Sequence, residues 1–141
     1  MEKATLGANT PQWQGRLSIK VLSNPVQAFA ANFDLQGTPE AGALNFTTPL
    51  GSTLAQIQWD KTGARLQTTG APEQFESLDT LTLRSTGVAL PIASLFAWLH
   101  GREIATPGWE VDLQLLSQGR LSAKRLEPAA TPAELKIILN P

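Results

Sequence analysis

Cysteine is absent from this chain, and histidine occurs once, at His100. Without cysteine the chain can form neither disulfide bonds nor a thiolate metal site. A transition-metal site would need carboxylates around a single imidazole, which is an unfavourable set of ligands. We therefore expect no metal and no cofactor. His100 ends a predicted helix, where an imidazole can interact with the last carbonyl groups of that helix.

Charge is also scarce, and neither sign is concentrated. Charged residues make up 16% of the chain, and the formal net charge is −1. The 11 lysines and arginines are dispersed, so the chain lacks the basic stripe that binds a phosphate backbone, and we expect no nucleic-acid partner. The carboxylates are dispersed, no serine stands in a nucleophile elbow, and the glycines form no phosphate-binding loop. These absences indicate a protein that is not an enzyme.

Long apolar runs are missing as well. No stretch is long enough to span a bilayer as a helix, and residues 1–11 have neither the basic nor the apolar region of a signal peptide. We expect residues 1–12 to form a flexible N-terminal segment. Residues 13–141 are expected to form one domain, long enough to bury a core and acting as a monomer.

Alternating apolar and polar residues, interrupted by Gly, Pro and Asn, predict a mainly β fold with a helical insert. The predicted strands are 13–22, 27–36, 43–48, 53–60, 64–69, 109–118, 120–127 and 134–140.

The helical insert lies between the fifth and sixth predicted strands. Residues 91–100 place apolar side chains at helical spacing, with Pro91 in the first turn and Gly101 at the end. Residues 73–85 keep a three-residue apolar spacing, although residues 80–83 alternate as a strand would, and we interpret the segment as a helix.

Short antiparallel strands in this number favour a sheet that curls, because twist and exposed edges both act in that direction. The inward positions of the strands are more numerous than the apolar positions of the two helices. The curled sheet therefore either encloses an apolar hollow or packs on itself as a small filled barrel or sandwich. The pattern alone leaves both alternatives open.

One turn presents an apolar residue to water. Pro49, Leu50 and Gly51 fit the second, third and fourth positions of a type I turn that begins at Thr48. The side chain at the third position points outward. An isolated exposed leucine is common on protein surfaces and often has no special role. The alternative interpretation is an apolar group placed to contact lipid.

Several stretches together carry a family resemblance. Residues 48–53 (TPLGST), 87–95 (GVALPIASL) and 98–101 (WLHG) occur in this order, and residues 13–17 and 108–111 fit the same pattern. From about Trp13 onward, the chain resembles the outer-membrane lipoprotein receptor LolB family of Gram-negative bacteria.

The resemblance implies an unclosed antiparallel β-barrel with short helices as a lid over an apolar cavity. It also implies a function. Such receptors accept lipoproteins from the periplasmic carrier LolA, hold their acyl chains, and release them into the inner leaflet of the outer membrane. The implied location is the periplasmic face of the outer membrane, through a lipid anchor that this chain lacks.

Two groups of site residues follow from the inward pattern and the resemblance. The proposed membrane-insertion loop is Pro49, Leu50 and Gly51, of which Leu50 matches the loop leucine of the family. An alternative function on the same fold is a soluble module that binds or carries a hydrophobic ligand without inserting it into a membrane. The acyl-chain cavity is expected to be lined by Phe29, Phe33, Phe46, Ile57, Trp59, Leu95, Phe96 and Leu99.

Overall fold

A single antiparallel sheet is the basis of the fold. The computed structural model describes residues 12–68, 70–86, 88–126 and 131–140. Its strands are β1 (Gln12–Val21), β2 (Gln27–Gly37), β3 (Gly42–Thr47), β4 (Thr53–Asp60), β5 (Gly63–Gln67), β6 (Glu73–Phe75), β7 (Trp109–Asp112), β8 (Arg120–Arg125) and β9 (Ala133–Leu139).

The strand order is β6-β5-β4-β3-β2-β1-β9-β8-β7. Among the described residues, the edge strands β6 and β7 do not pair with each other, so the curled sheet stays open. The predicted unclosed, mainly antiparallel β fold is confirmed.

Each central strand separates a buried from an exposed face. Along β4, Ala55, Ile57 and Trp59 are buried and the residues between them are exposed. The buried residues of neighbouring strands stand in register across the sheet, as in the row Leu35, Leu44, Ile57 and Leu66. A slip of one residue would turn every one of these side chains to water, so burial fixes the register.

Two helices connect the edges of the sheet: α1 (Leu78–Thr86) and α2 (Ile92–Leu99) follow β6 and precede β7. Nearly all of α2 is buried, including Leu95, Phe96, Trp98 and Leu99. A helix that is apolar on all sides belongs inside a core. We therefore find α2 within the curve of the sheet, where it occupies the interior.

Aromatic contacts show how α2 spans the sheet. The Phe96 ring lies 5.6 Å from Trp13 on β1 and 6.3 Å from Trp59 on β4, measured between ring centroids. The Trp98 ring lies 6.5 Å from Trp109 on the edge strand β7. One helix thus contacts the middle of the sheet and one of its edges.

Two buried threonines stabilise the connection between the helices. Thr82 Oγ1 donates to the Leu78 carbonyl at 2.9 Å and accepts from the Leu90 amide at 2.9 Å. Thr86 Oγ1 lies 2.8 Å from the Thr82 carbonyl oxygen and 3.0 Å from the Val88 carbonyl oxygen, and it can donate its single proton to either. Hydroxyl groups that bond nearby backbone satisfy polar groups that burial would otherwise leave unpaired. This accounts for threonine in a helix that its rotamer entropy disfavours.

The helix predicted over 73–85 is wrong in its first part. Residues 73–75 form β6, in which Phe75 pairs with Ala64. The helix begins only after Ser77, whose Oγ accepts a hydrogen bond from the Thr80 amide at 3.2 Å. Serine at this position is a favoured N-cap and satisfies an amide of the first turn. The alternating residues 80–83 lie within the helix.

The strand predicted over 109–118 is wrong after Asp112. Asp112 Oδ1 accepts a hydrogen bond from the Gln114 amide at 2.9 Å, which turns the chain away from the sheet. A 3-10 turn follows at Leu116–Gln118, and Gly119 has a φ of 80°. The other predicted strands and the helix predicted over 91–100 agree with the structure to within one or two residues at each described end. Positions 69 and 127, at predicted strand ends, lie outside the described residues, as do residues 1–11.

Two buried tryptophans differ in their hydrogen bonding and give a test of the core. Trp59 Nε1 donates to the Thr38 carbonyl at 3.0 Å. Trp98 Nε1 is buried and has no partner among the described residues. A buried N–H without a partner costs about 1–3 kcal/mol.

Replacing each tryptophan by phenylalanine therefore has unequal effects. We expect Trp98→Phe to lower the free energy of unfolding by about 1 kcal/mol less than Trp59→Phe, because only the second substitution removes a hydrogen bond. Urea denaturation of both variants measures the difference. Equal losses of stability would contradict the assignment of Trp98 Nε1 as unpaired.

Candidate functional site

The loop between β3 and β4 is held by a network of backbone bonds. The Gly51 amide donates to the Thr48 carbonyl at 2.9 Å, and the Thr48 amide donates to the Ser52 carbonyl at 2.8 Å. Thr48 Oγ1 also accepts from the Ser52 amide at 3.1 Å. Gly51 has a φ of 92°, which L side chains rarely adopt. The predicted turn with Pro49 and Leu50 at its centre is confirmed.

Leu50 is the most exposed large apolar side chain among the described residues, with 95% of its surface accessible. Burial contributes nothing to folding from this position, because the side chain loses almost no contact with water. The loop is fixed by its backbone, whereas the leucine at its tip is free to contact another molecule. This geometry suits an apolar side chain that is presented to another molecule by a hydrogen-bonded turn.

The predicted cavity residues come together on the inner face. Leu95, Phe96 and Leu99 lie on α2, and the others lie on strands β2 to β4. All of them belong to one apolar cluster, in which Phe29 is half-buried and the rest are buried. Because α2 occupies the interior, these side chains contact their neighbours in the core in this state.

Part of the inner face lies next to the Leu50 loop. The last backbone pair between β2 and β3 is Asn32–Thr47. Phe29 lies beyond that pair, on the side of the loop, and its ring lies 5.0 Å from the ring of Phe46. The half-buried Phe29 therefore connects the apolar interior with the end of the sheet that carries Leu50.

The outer face of the sheet carries a different feature, which sequence reasoning missed. A groove of about 710 Å³ crosses the outward side of strands β2 to β6. Trp59 alone among the predicted cavity residues lines it. Asparagine and glutamine at successive outward strand positions were the available signal. The polar side chains of the groove include Gln36, Asn45, Gln56, Gln58, Arg65 and Gln74.

Titratable groups give no catalytic arrangement in the described part of the chain. Hydrogen bonds donated by the Thr62 hydroxyl and amide hold the pKa of Asp60 below its ordinary value, in the exposed turn between β4 and β5. No group of three potential metal ligands occurs among the described residues. Within the same residues, no helix has the length and apolar character needed to cross a membrane.

His100 terminates α2 through its backbone. Its amide donates to the carbonyls of Phe96 and Ala97 at 3.2 and 3.1 Å. The imidazole ring packs edge-on against Trp13, with 5.1 Å between the ring centroids. The predicted position at the helix end is confirmed, and it is the main chain that meets the helix carbonyls.

Comparison with known proteins connects this site to one family. A family model described as outer membrane lipoprotein LolB matches residues 10–130. The chain is 38% identical over 93 residues to the outer-membrane lipoprotein LolB of Neisseria meningitidis, covering 65% of this chain and 47% of that protein. It is 30% identical over 113 residues to LolB of Serratia proteamaculans, covering 79% of this chain and 53% of that protein.

A third relative, the outer-membrane lipoprotein LolB of Chromobacterium violaceum, is 31% identical over 96 residues, or 68% of this chain and 51% of that protein. The chain thus spans about half the length of these curated relatives. The family match nevertheless runs from β1 to β8 and includes the Leu50 loop and both helices. This chain therefore belongs to the LolB family.

Proposed function

We propose that this chain is an outer-membrane lipoprotein receptor, which accepts lipoproteins from the periplasmic carrier LolA and releases them into the outer membrane. The observation that carries the proposal is the 95% exposed Leu50, on a hydrogen-bonded loop beside the half-buried Phe29. One apolar group reaches outward and an apolar interior lies directly behind it. In this role the protein works at the periplasmic face of the outer membrane and is not an enzyme.

The energetics of acyl chains explain why such a receptor needs an apolar interior. Each methylene removed from water gains about 0.8 kcal/mol, so a length of ten methylenes gains on the order of 8 kcal/mol. Exposure of such a chain during transfer would be prohibitive. A receptor that binds slightly better than the carrier and slightly worse than the bilayer passes cargo downhill without nucleotide hydrolysis.

Acyl binding on the inner face requires α2 to move, because α2 occupies that space. The sheet allows this movement. Helices α1 and α2 connect the unpaired edges β6 and β7, so α2 can shift outward without breaking the central strand pairs. The acyl chain then covers the apolar surface that α2 leaves.

The unpaired N–H of Trp98 favours the same movement. Its burial without a partner among the described residues penalises the state in which α2 fills the interior, by about 1–3 kcal/mol. When α2 shifts, water or a carbonyl group of the cargo can accept that hydrogen bond, which offsets part of the cost of opening.

A disulfide across an existing hydrogen bond tests the movement of α2. Thr106 Oγ1 donates to Ser94 Oγ at 2.7 Å, which joins α2 to the segment before β7. In a chain without cysteine, the double variant Ser94→Cys/Thr106→Cys has one possible disulfide. We expect the oxidised variant to bind a fluorescent fatty acid weakly, because α2 is tied down.

Reduction provides the matched control for that variant. The reduced double variant should recover the affinity of the unmodified chain, and reductant should leave the unmodified chain unchanged. Equal fatty-acid binding by the oxidised and reduced forms would show that the hydrocarbon binds without displacement of α2.

Leu50→Glu tests the delivery step. Full burial of a leucine contributes at most about 1.5–3 kcal/mol, too little to anchor a protein but enough to favour local insertion. We expect Leu50→Glu to accept cargo from acyl-loaded LolA at the normal rate and to lose delivery of that cargo to liposomes. The measurements are cargo transfer between the purified proteins and cargo recovered with floated vesicles.

Ile138→Glu is the matched control, since Ile138 is 51% exposed on β9, away from the Leu50 loop. This variant should deliver cargo normally. Delivery by Leu50→Glu at the same rate as Ile138→Glu would refute the role of Leu50. Fatty-acid binding by a chain that takes no cargo from LolA would instead favour a soluble hydrophobic-ligand module.

A further inference from the structure

The turn between β1 and β2 and the loop between β3 and β4 lie at the same end of the sheet. The turn of residues 22–26 follows the last β1–β2 pair, Val21–Gln27, at the point where β2 begins. The loop of residues 48–52 follows Thr47, which pairs with Asn32 on β2 as that strand runs away from Gln27. Both connections therefore extend toward the end of the sheet at which β2 starts. We refer to it as the β2-start end.

Exposed apolar side chains concentrate at the β2-start end. Leu22 is 42% exposed and Val26 is 55% exposed, on the turn of residues 22–26. Leu126, at the end of β8, is 49% exposed, and its amide donates to the Gly108 carbonyl just before β7. Together with Leu50 and Leu54, they account for most of the large apolar side chains exposed among the described residues.

The two turns that carry Val26 and Leu50 also lack charged residues. Residues 22–26 (LSNPV) and 48–52 (TPLGS) contain no charged side chain. Two turns at the other end of the sheet are charged, with Glu40 in residues 38–41 and Asp60 and Lys61 in residues 60–63, whereas the connection of residues 113–119 at that end is not. Removing a charge from water is costly, so a surface that enters lipid has to lack charges. The turns of residues 22–26 and 48–52 meet this requirement, and the turns of residues 38–41 and 60–63 do not.

The turn of residues 22–26 is also firmly supported. Ser23 Oγ donates to the Pro25 carbonyl at 2.7 Å, and the Leu22 amide donates to the Pro132 carbonyl at 2.9 Å. Like Leu50, Val26 thus stands on a fixed turn. Fixed apolar tips lose little conformational entropy when they bind.

We infer that Leu22 and Val26 form a second contact with the phospholipid surface, beside Leu50. The inference rests on the proposed function and adds the orientation of the protein on the membrane. One inserted residue leaves the protein free to pivot, whereas two separate tips hold the β2-start end, with Phe29, against the bilayer. The occupant of this surface is a lipid bilayer.

Single cysteines allow a direct test in this cysteine-free chain. Val26→Cys and Leu50→Cys, and Glu40→Cys from the opposite end as the control, are each labelled with the environment-sensitive fluorophore NBD. The labelled proteins are mixed with vesicles of phosphatidylethanolamine and phosphatidylglycerol. We expect a blue shift and an increase of NBD emission at positions 26 and 50, and no change at position 40.

Substitution by aspartate gives a second measurement that does not depend on a label. Val26→Asp should lower vesicle partitioning by about tenfold or more, as the loss of one buried valine predicts. Circular dichroism of this exposed-site variant confirms that the fold is intact. Unchanged partitioning of the folded variant would overturn the inference.

The outcomes separate this inference from the proposed function. A shift at position 50 alone overturns the second contact and leaves the Leu50 proposal in place. A shift at position 26 alone supports the second contact and refutes insertion of Leu50. A shift at all three positions, or a shift at position 26 without vesicles as protein concentration rises, overturns the inference by showing non-specific adsorption or self-association. No shift at either tip overturns both.

Discussion

The burial of α2 against the inner face of an open sheet is the interaction on which this structure depends. In the part of the chain that the structure describes, the edge strands β6 and β7 do not pair with each other, so the sheet does not close around its apolar face. Helix α2 covers the apolar face that a closed barrel would bury by itself. Its side chains Phe96 and Trp98 reach from the central strands to the edge strand β7. The hydrophobic effect thus stabilises the fold through one short, almost wholly apolar helix.

The same surface underlies the proposed receptor function. Apolar side chains that cover each other in the absence of cargo are those that would cover acyl chains in its presence, so folding and binding compete for one surface. Two features of α2 affect the balance between folding and binding in opposite directions. The hydrogen bond between Ser94 and Thr106 joins α2 to the segment before β7, and the Trp98 N–H, which has no partner in the described part of the chain, penalises the state in which α2 fills the interior.

The β2-start end is the side of the protein at which cargo would pass to the bilayer in the proposed function. Half-buried Phe29 lies there beside the Leu50 loop, and the turn of residues 22–26 carries a further exposed valine. Turn residues with fixed backbone geometry keep these apolar tips in water at no cost to the core. In the proposed function, the apolar interior behind Phe29 and the two uncharged turns beside it offer cargo a path from protein to bilayer.

The sequence by itself determined the alternating strands, the buried helix α2 and the turn at Leu50, because these depend on local periodicity and on Pro and Gly at particular positions. The sequence pattern placed the start of α1 too early and continued β7 too far. The N-cap hydrogen bond of Ser77 sets the start of the helix, and the side-chain hydrogen bond of Asp112 ends the strand. Apolar periodicity reveals neither bond. Only the tertiary structure decided that α2 occupies the interior and that the apolar tips at Val26 and Leu50 share one end of the sheet. Both depend on strand order and on contacts between residues far apart in the chain, which a local pattern cannot specify.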